Sequence, residues 1–135
     1  MAQPSTFEQA TQNYLTATCN MVLNTAVVDQ VFFIAPEPLQ VVEIHEIHST
    51  KGTDAGAVTA TVMRCQGTEA ADAGDDLLGA TKINLKGNNN TLQSPALTDT
   101  TANLQLAAGD RLSLDITGTA TAVAGAVVTV LLKRI

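Results

Sequence analysis

Apolar and polar residues alternate with a period of two towards the end of the chain. Leu112, Leu114 and Ile116 fall on one face, and Arg111, Ser113, Asp115 and Thr117 on the other, the pattern of a half-buried strand. Ahead of it, Ala108-Gly109-Asp110 predicts a tight turn. Glycine can take a positive φ there, and the Asp side chain can bond the local backbone. After a loop of small residues (118–125) the chain returns over 126–133 as AVVTVLLK, rich in β-branched residues and apolar on both faces. Such a strand is covered on both sides, by layers of its own domain or by a neighbouring subunit. The two strands are expected to close the chain as an antiparallel pair on which the rest packs.

Upstream, residues 13–23 alternate as a strand, with Leu15, Ala17 and Cys19 on one face and Tyr14, Thr16 and Thr18 on the other. Residues 27–34 form a second strand, stopped by Pro36 and Pro38, since proline cannot donate to a ladder. Residues 39–49 form a third. Val42 and Ile44 share a face but Ile47 falls out of phase, so either a β-bulge resets the register or both faces are partly covered. A hairpin-like turn at 51–56 leads to a strand over 57–65 with Val58, Ala60 and Val62 inward. Residues 66–82 read as a long acidic loop with one helical turn before Leu77-Leu78. A short strand at 83–85, a turn at 87–90 and a loop or edge strand at 91–101, broken by Pro95, complete the middle. Residues 1–12 are a polar arm, helical or extended, whose one large apolar side chain is Phe7. Seven or eight short strands with turn signals between them predict an all-β, single-domain antiparallel β-sandwich of jelly-roll-like type over 13–135, preceded by that arm.

Composition narrows the function. The 135 residues suit one domain, and aromatics make up 3% with no Trp, so the core must be Val, Leu, Ile and Ala. Such side chains fill a thin two-layer sheet well and are an unusual lining for a ligand pocket. Seven basic residues against thirteen acidic ones give a net charge of −6, and the basic residues are scattered. A nucleic-acid binder needs a concentrated positive face, so that class is not expected. Cys19 and Cys65 have no close-spaced partner and read as two reduced core thiols. The start is polar, without a basic region followed by an apolar run, and no apolar stretch is long enough to span a membrane. The protein is therefore expected to be made and used without crossing one.

One grouping carries metal-ligand residue types, Glu43-Ile44-His45-Glu46-Ile47-His48. On a regular strand, positions three apart face opposite ways, so His45 and His48 cannot close on one ion. Glu43 with His45, or Glu46 with His48, can pair on one face, but two ligands do not make a structural site. These four are expected to be exposed or edge-strand polar residues. The alternative is an interface site in which symmetry supplies further ligands. Asp72, Asp75 and Asp76 lack the spacing of an EF-hand loop and are expected in a solvated acidic loop. No Gly-x-Ser-x-Gly elbow and no phosphate-cradling glycine loop occurs in the chain. Neither an enzyme nor a cofactor is expected.

A resemblance extends over nearly the whole chain. A short polar start, VFFIAP leading into VVEIHEIHS, a Thr/Ala/Gly-rich middle, LAAGDRLSLDITG and a closing AVVTVLLKRI resemble the small decoration (cement, or head-stabilising) proteins that coat the capsids of tailed bacteriophages. The turn from Leu106 to Leu114 also resembles the same turn in tumour-necrosis-factor-like jelly rolls, which are trimers. The resemblance implies a homotrimer that binds the outside of a phage shell where major capsid protein subunits meet, in a virion assembled in the host cytoplasm. Phe7 and Tyr14 are its candidate contacts. The competing expectation is a glycan- or receptor-binding module of a fibre or adhesin, using the loops at 66–82 and 87–101.

Overall fold

The computed structural model describes residues 13–21 and 29–135. Among these residues nine strands follow in order: β1 (Tyr14–Asn20), β2 (Asp29–Ile34), β3 (Leu39–Ile47), β4 (Thr59–Cys65), β5 (Asp75–Asp76), β6 (Ile83–Asn84), β7 (Gln105–Leu106), β8 (Arg111–Thr117) and β9 (Val127–Arg134). Among the described residues the one helical piece is a single 3-10 turn, Thr101–Leu104. The strands form two antiparallel sheets, ordered β1-β9-β3-β7 and β2-β8-β4-β5, with β6 also on β4. Successive strands cross repeatedly from one sheet to the other. This is a β-sandwich with the interleaved Greek-key order of a jelly roll.

That order corrects two sequence expectations. The closing strands β8 and β9 do not pair with each other. Each sits at the centre of a different sheet, β8 between β2 and β4 and β9 between β1 and β3. Likewise residues 51–56 do not make a hairpin, because β3 and β4 lie in opposite sheets. Local turn chemistry is the same for a hairpin and for a crossover, so pattern alone leads to the local pairing.

The turn before β8 forms as its residues require. Gly109 has φ +91°, and the Asp110 carboxylate accepts the Ala107 N–H at 2.8 Å. Ala35 brackets the same turn, its N–H donating to Asp110 O and its carbonyl accepting from Gly109 N, both at 2.8 Å.

The core is aliphatic. Ala17 and Cys19 of β1, Val128, Val130 and Leu132 of β9, and Leu39, Val41 and Ile44 of β3 face Ala60 and Val62 of β4 and Leu112 and Leu114 of β8. Each fully buried Val or Leu contributes roughly 1.5–3 kcal/mol of transfer free energy. The faces assigned to β1 and β4 from sequence match this core: Val58, Ala60 and Val62 are all buried. Cys19 and Cys65 are free, buried thiols in different sheets, and burial pushes the Cys19 thiol up, away from the reactive thiolate.

The segment 66–76 departs from its predicted form. It contains no helical turn and is not a detached solvated loop. Arg111 donates to Gly67 O at 2.9 Å and to Glu69 O at 2.8 Å, and Ser113 Oγ donates to Ala71 O at 2.6 Å. The loop thereby lies over the outer face of β4 and β8. Glycine is needed at position 74, where a Cβ would meet the Arg64 carbonyl. The acids that follow are partnered: Asp75 with Arg64 at 2.7 Å, and Asp76 with Lys82 at 2.6 Å. Arg64 also donates to Ala102 O at 2.9 Å and Gln105 O at 2.8 Å, tying β4 of one sheet to the β7 end of the other.

Candidate functional site

The chemistry concentrates on β3, and a β-bulge arranges it. Val41 pairs with Leu132 and Glu43 with Leu131 of β9, so Val42 has no partner of its own. Leu39 and Val41 point inward. Without the extra residue, strict alternation would also send Glu43, His45 and Ile47 into the core. The bulge resets the phase, so that Ile44, Glu46 and His48 are buried while Glu43, His45 and Ile47 face out. A bulge is present, but at Val42: from Glu43 onward the alternation is unbroken, so Ile47 stays out of phase with Ile44 and faces out.

The inward group corrects the expectation of four exposed polar residues. Glu46 and His48 are 1% and 0% exposed. His48 Nε2 lies 2.9 Å from the Gly87 carbonyl, so that nitrogen carries a proton and donates. His48 Nδ1 lies 2.7 Å from Glu46 Oε1, and Gln93 Nε2 donates to Glu46 Oε2 at 2.7 Å. Gln93 in turn accepts the Asn84 N–H at 2.8 Å and donates to Asn84 O at 2.8 Å. Every member is satisfied, as a buried polar network must be. Burial pushes the Glu46 carboxyl up, opposed by its bonds to His48 and Gln93. The network holds β3 to the segment 84–93 across the open edge of the sheet.

The outward group is different in kind. His45 Nδ1 is 2.6 Å from Ser94 Oγ, and His45 Nε2 is 2.9 Å from Glu43 Oε2. Ser94 is 49 residues away in sequence, and nothing in the chain's pattern pointed to it. It arrives there because Gln93 bridges Glu46 in both directions, N–H to O, at 2.8 and 3.0 Å. Beside the three lies a groove of about 260 Å³, lined by Val42, Glu43, Ile44, His45 and residues 94–97. Among the described residues no three His, Cys, Asp or Glu side chains are placed to share a metal ion. The two His-Glu pairs lie on opposite faces, as their spacing predicted.

The same outer face carries Tyr14. Rows across the sheet pair Tyr14 with Lys133, Thr16 with Leu131 and Glu43, Thr18 with Thr129 and His45, and Asn20 with Val127 and Ile47. Tyr14 is 41% exposed and Ile47 39%, while Val127 and Leu131 are half-buried. Phe7, the other predicted contact, lies outside the described residues, as does the whole arm 1–12.

A carboxyl cluster lies on the opposite sheet. Asp29 of β2 and Thr61 of β4 both stand opposite Asp115 of β8. Burial first, then hydrogen bonding to Asp29 and the charges of Asp29, Asp72 and Asp76, pushes the Asp115 carboxyl up to about 6. An unfolded Asp titrates near ~3.9, so between the two values the native state holds the extra proton and stability falls as pH rises. Asp115→Asn is therefore expected to raise stability at pH 7.5 by about 1–2 kcal/mol, after allowing for partial exposure, and to change little at pH 4. Urea midpoints of the two proteins across that range test it. A variant no more stable than the parent at pH 7.5 would refute the shift.

Comparison of the chain with protein-family models, with curated proteins and with solved structures returned no match.

Proposed function

We propose that the protein is a structural virion component that decorates a bacteriophage capsid, binding as a homotrimer on the outside of the shell where major capsid protein subunits meet. The observation that supports this reading most directly is the second apolar face of β9. Val127 and Leu131 lie on the outer surface of the β1-β9-β3 sheet, beside the exposed Tyr14 and Ile47. A strand at the centre of a sheet that is apolar on both sides favours a second cover, and identical copies or a shell surface supply one. An aliphatic sandwich with an acidic exterior stays soluble before assembly. Weak contacts repeated over a shell sum to strong attachment.

Co-sedimentation with undecorated capsids tests the proposal. The full chain is expected to pellet with shells. Leu131→Asp, which places a charge in the centre of the face, is expected to weaken binding at least tenfold, and a variant beginning at Asn13 is expected to bind less than the full chain. Equal binding by the truncated variant removes the arm from the interface. No pelleting by the full chain, with binding on a glycan array instead, would replace the capsid reading by the glycan-binding one.

A further inference from the structure

We propose that Ser94 is an activated nucleophile, with His45 as its base and Glu43 as the group that orients the base, and that the adjoining groove takes the acyl chain of small carboxylic esters. The connectivity is that of an acyl-transfer site: hydroxyl to imidazole at 2.6 Å, imidazole to carboxylate at 2.9 Å. With its proton on Nε2, His45 donates to Glu43 and leaves Nδ1 as the acceptor facing the Ser94 hydroxyl. Both sides of the contact are fixed by backbone. Alternation puts Glu43 and His45 on one face, the bulge turns that face outward, and Ser94 is held between the Glu46–Gln93 bridge and Pro95. The imidazole is about one-third exposed, with its side chain at 31%, so a substrate can reach it.

The groove sets the substrate class. Val42, Pro95, Ala96 and Leu97 give it apolar walls, and about 260 Å³ suits a short acyl chain rather than a large ligand. In the reaction, Ser94 Oγ forms a bond to the ester carbonyl carbon while its proton passes to His45 Nδ1. The carbon–alkoxide bond then breaks, His45 returns the proton to the leaving alcohol, and water releases the acid from the acyl-serine by the same steps.

The test uses the full chain, an alkyl fluorophosphonate, and p-nitrophenyl acetate and butyrate. The phosphonate is expected to leave one adduct, on Ser94, with fluoride as the leaving group, located by peptide mass spectrometry. Labelling and p-nitrophenol release are expected to fall about 100-fold or more in Ser94→Ala and in His45→Asn. Both positions face solvent, so unchanged thermal midpoints separate loss of chemistry from loss of fold. Glu43→Gln is expected to lower kcat about tenfold with KM unchanged, the mark of a positioning residue. Ala96→Phe, which fills the groove, is expected to slow butyrate more than acetate. No adduct, an adduct on another residue, or equal rates in folded His45→Asn would overturn the assignment. Glu43 and His45 share the face of Val127 and Leu131, so the activity is that of the free chain; it is assayed without capsids, and its failure leaves the capsid reading standing.

Discussion

Glu46→Ala is expected to destabilise the protein by about 3–5 kcal/mol, whereas Glu46→Gln is expected to cost no more than about 1 kcal/mol. The alanine leaves His48 Nδ1 and the Gln93 amide buried without partners and opens a cavity beside Val128, which stands opposite Glu46 in the ladder. The glutamine keeps the shape and the bonds. Its amide can donate to His48 Nδ1 while its carbonyl accepts from Gln93, and His48 still donates from Nε2 to Gly87. Urea midpoints measure both. If glutamine costs as much as alanine, the hydrogen bonds to His48 and Gln93 are not what the Glu46 side chain contributes.

Deleting His45 is expected to abolish cooperative folding, while deleting Val42, three residues earlier, is expected to leave a folded protein. Register decides the difference. Removing Val42 takes out the one residue of the bulge without a partner, and β3 then runs one-to-one against β9 from Leu39 to Ile47. Removing His45 instead moves Glu46 and His48 to the outer face and Ile47 inward, and it breaks the bridge to Gln93. Loss of a polar network and exposure of its partners add to the misplaced side chains, a combined cost beyond the ~5–15 kcal/mol that holds a domain of this size. Circular dichroism and thermal melting of both deletions decide it. A folded His45 deletion would show that the register is not fixed as described.

Much of the architecture was legible in the chain. Alternation identified both closing strands, placed Ala17 and Cys19 against Tyr14, Thr16 and Thr18, and put Val58, Ala60 and Val62 inside. The Ala108-Gly109-Asp110 turn was legible because its geometry depends on two local features, a positive φ and a short polar side chain. Partner choice was not legible. Whether β8 meets β9 is set by which strands can flank each, and a period of two carries no information about that. The bulge lies at Val42, ahead of the phase change read at Ile47, and only the fold shows that it sends Glu46 and His48 inward. Charged residue types normally mark the solvent side, and here a complete set of partners offsets their desolvation. Ser94 reaches His45 through a long-range bridge, beyond any local pattern. The loop at 66–76 was legible as acidic but not as docked, because main-chain carbonyls hold it and every residue carries one.

The interleaved strand order also governs how the molecule can be made. Among the described residues β1 has one neighbour, β9, and β2 has one neighbour, β8, while β3 depends on β9 and β7. Until residues 105–134 leave the ribosome, the earlier strands have almost nothing to bond with except β4 with its two short companions, β5 and β6. Assembly of the sandwich is then a single late event that follows translation of this region, and a ribosome stalled before β8 would present a chain open to proteases and to other unpaired edges.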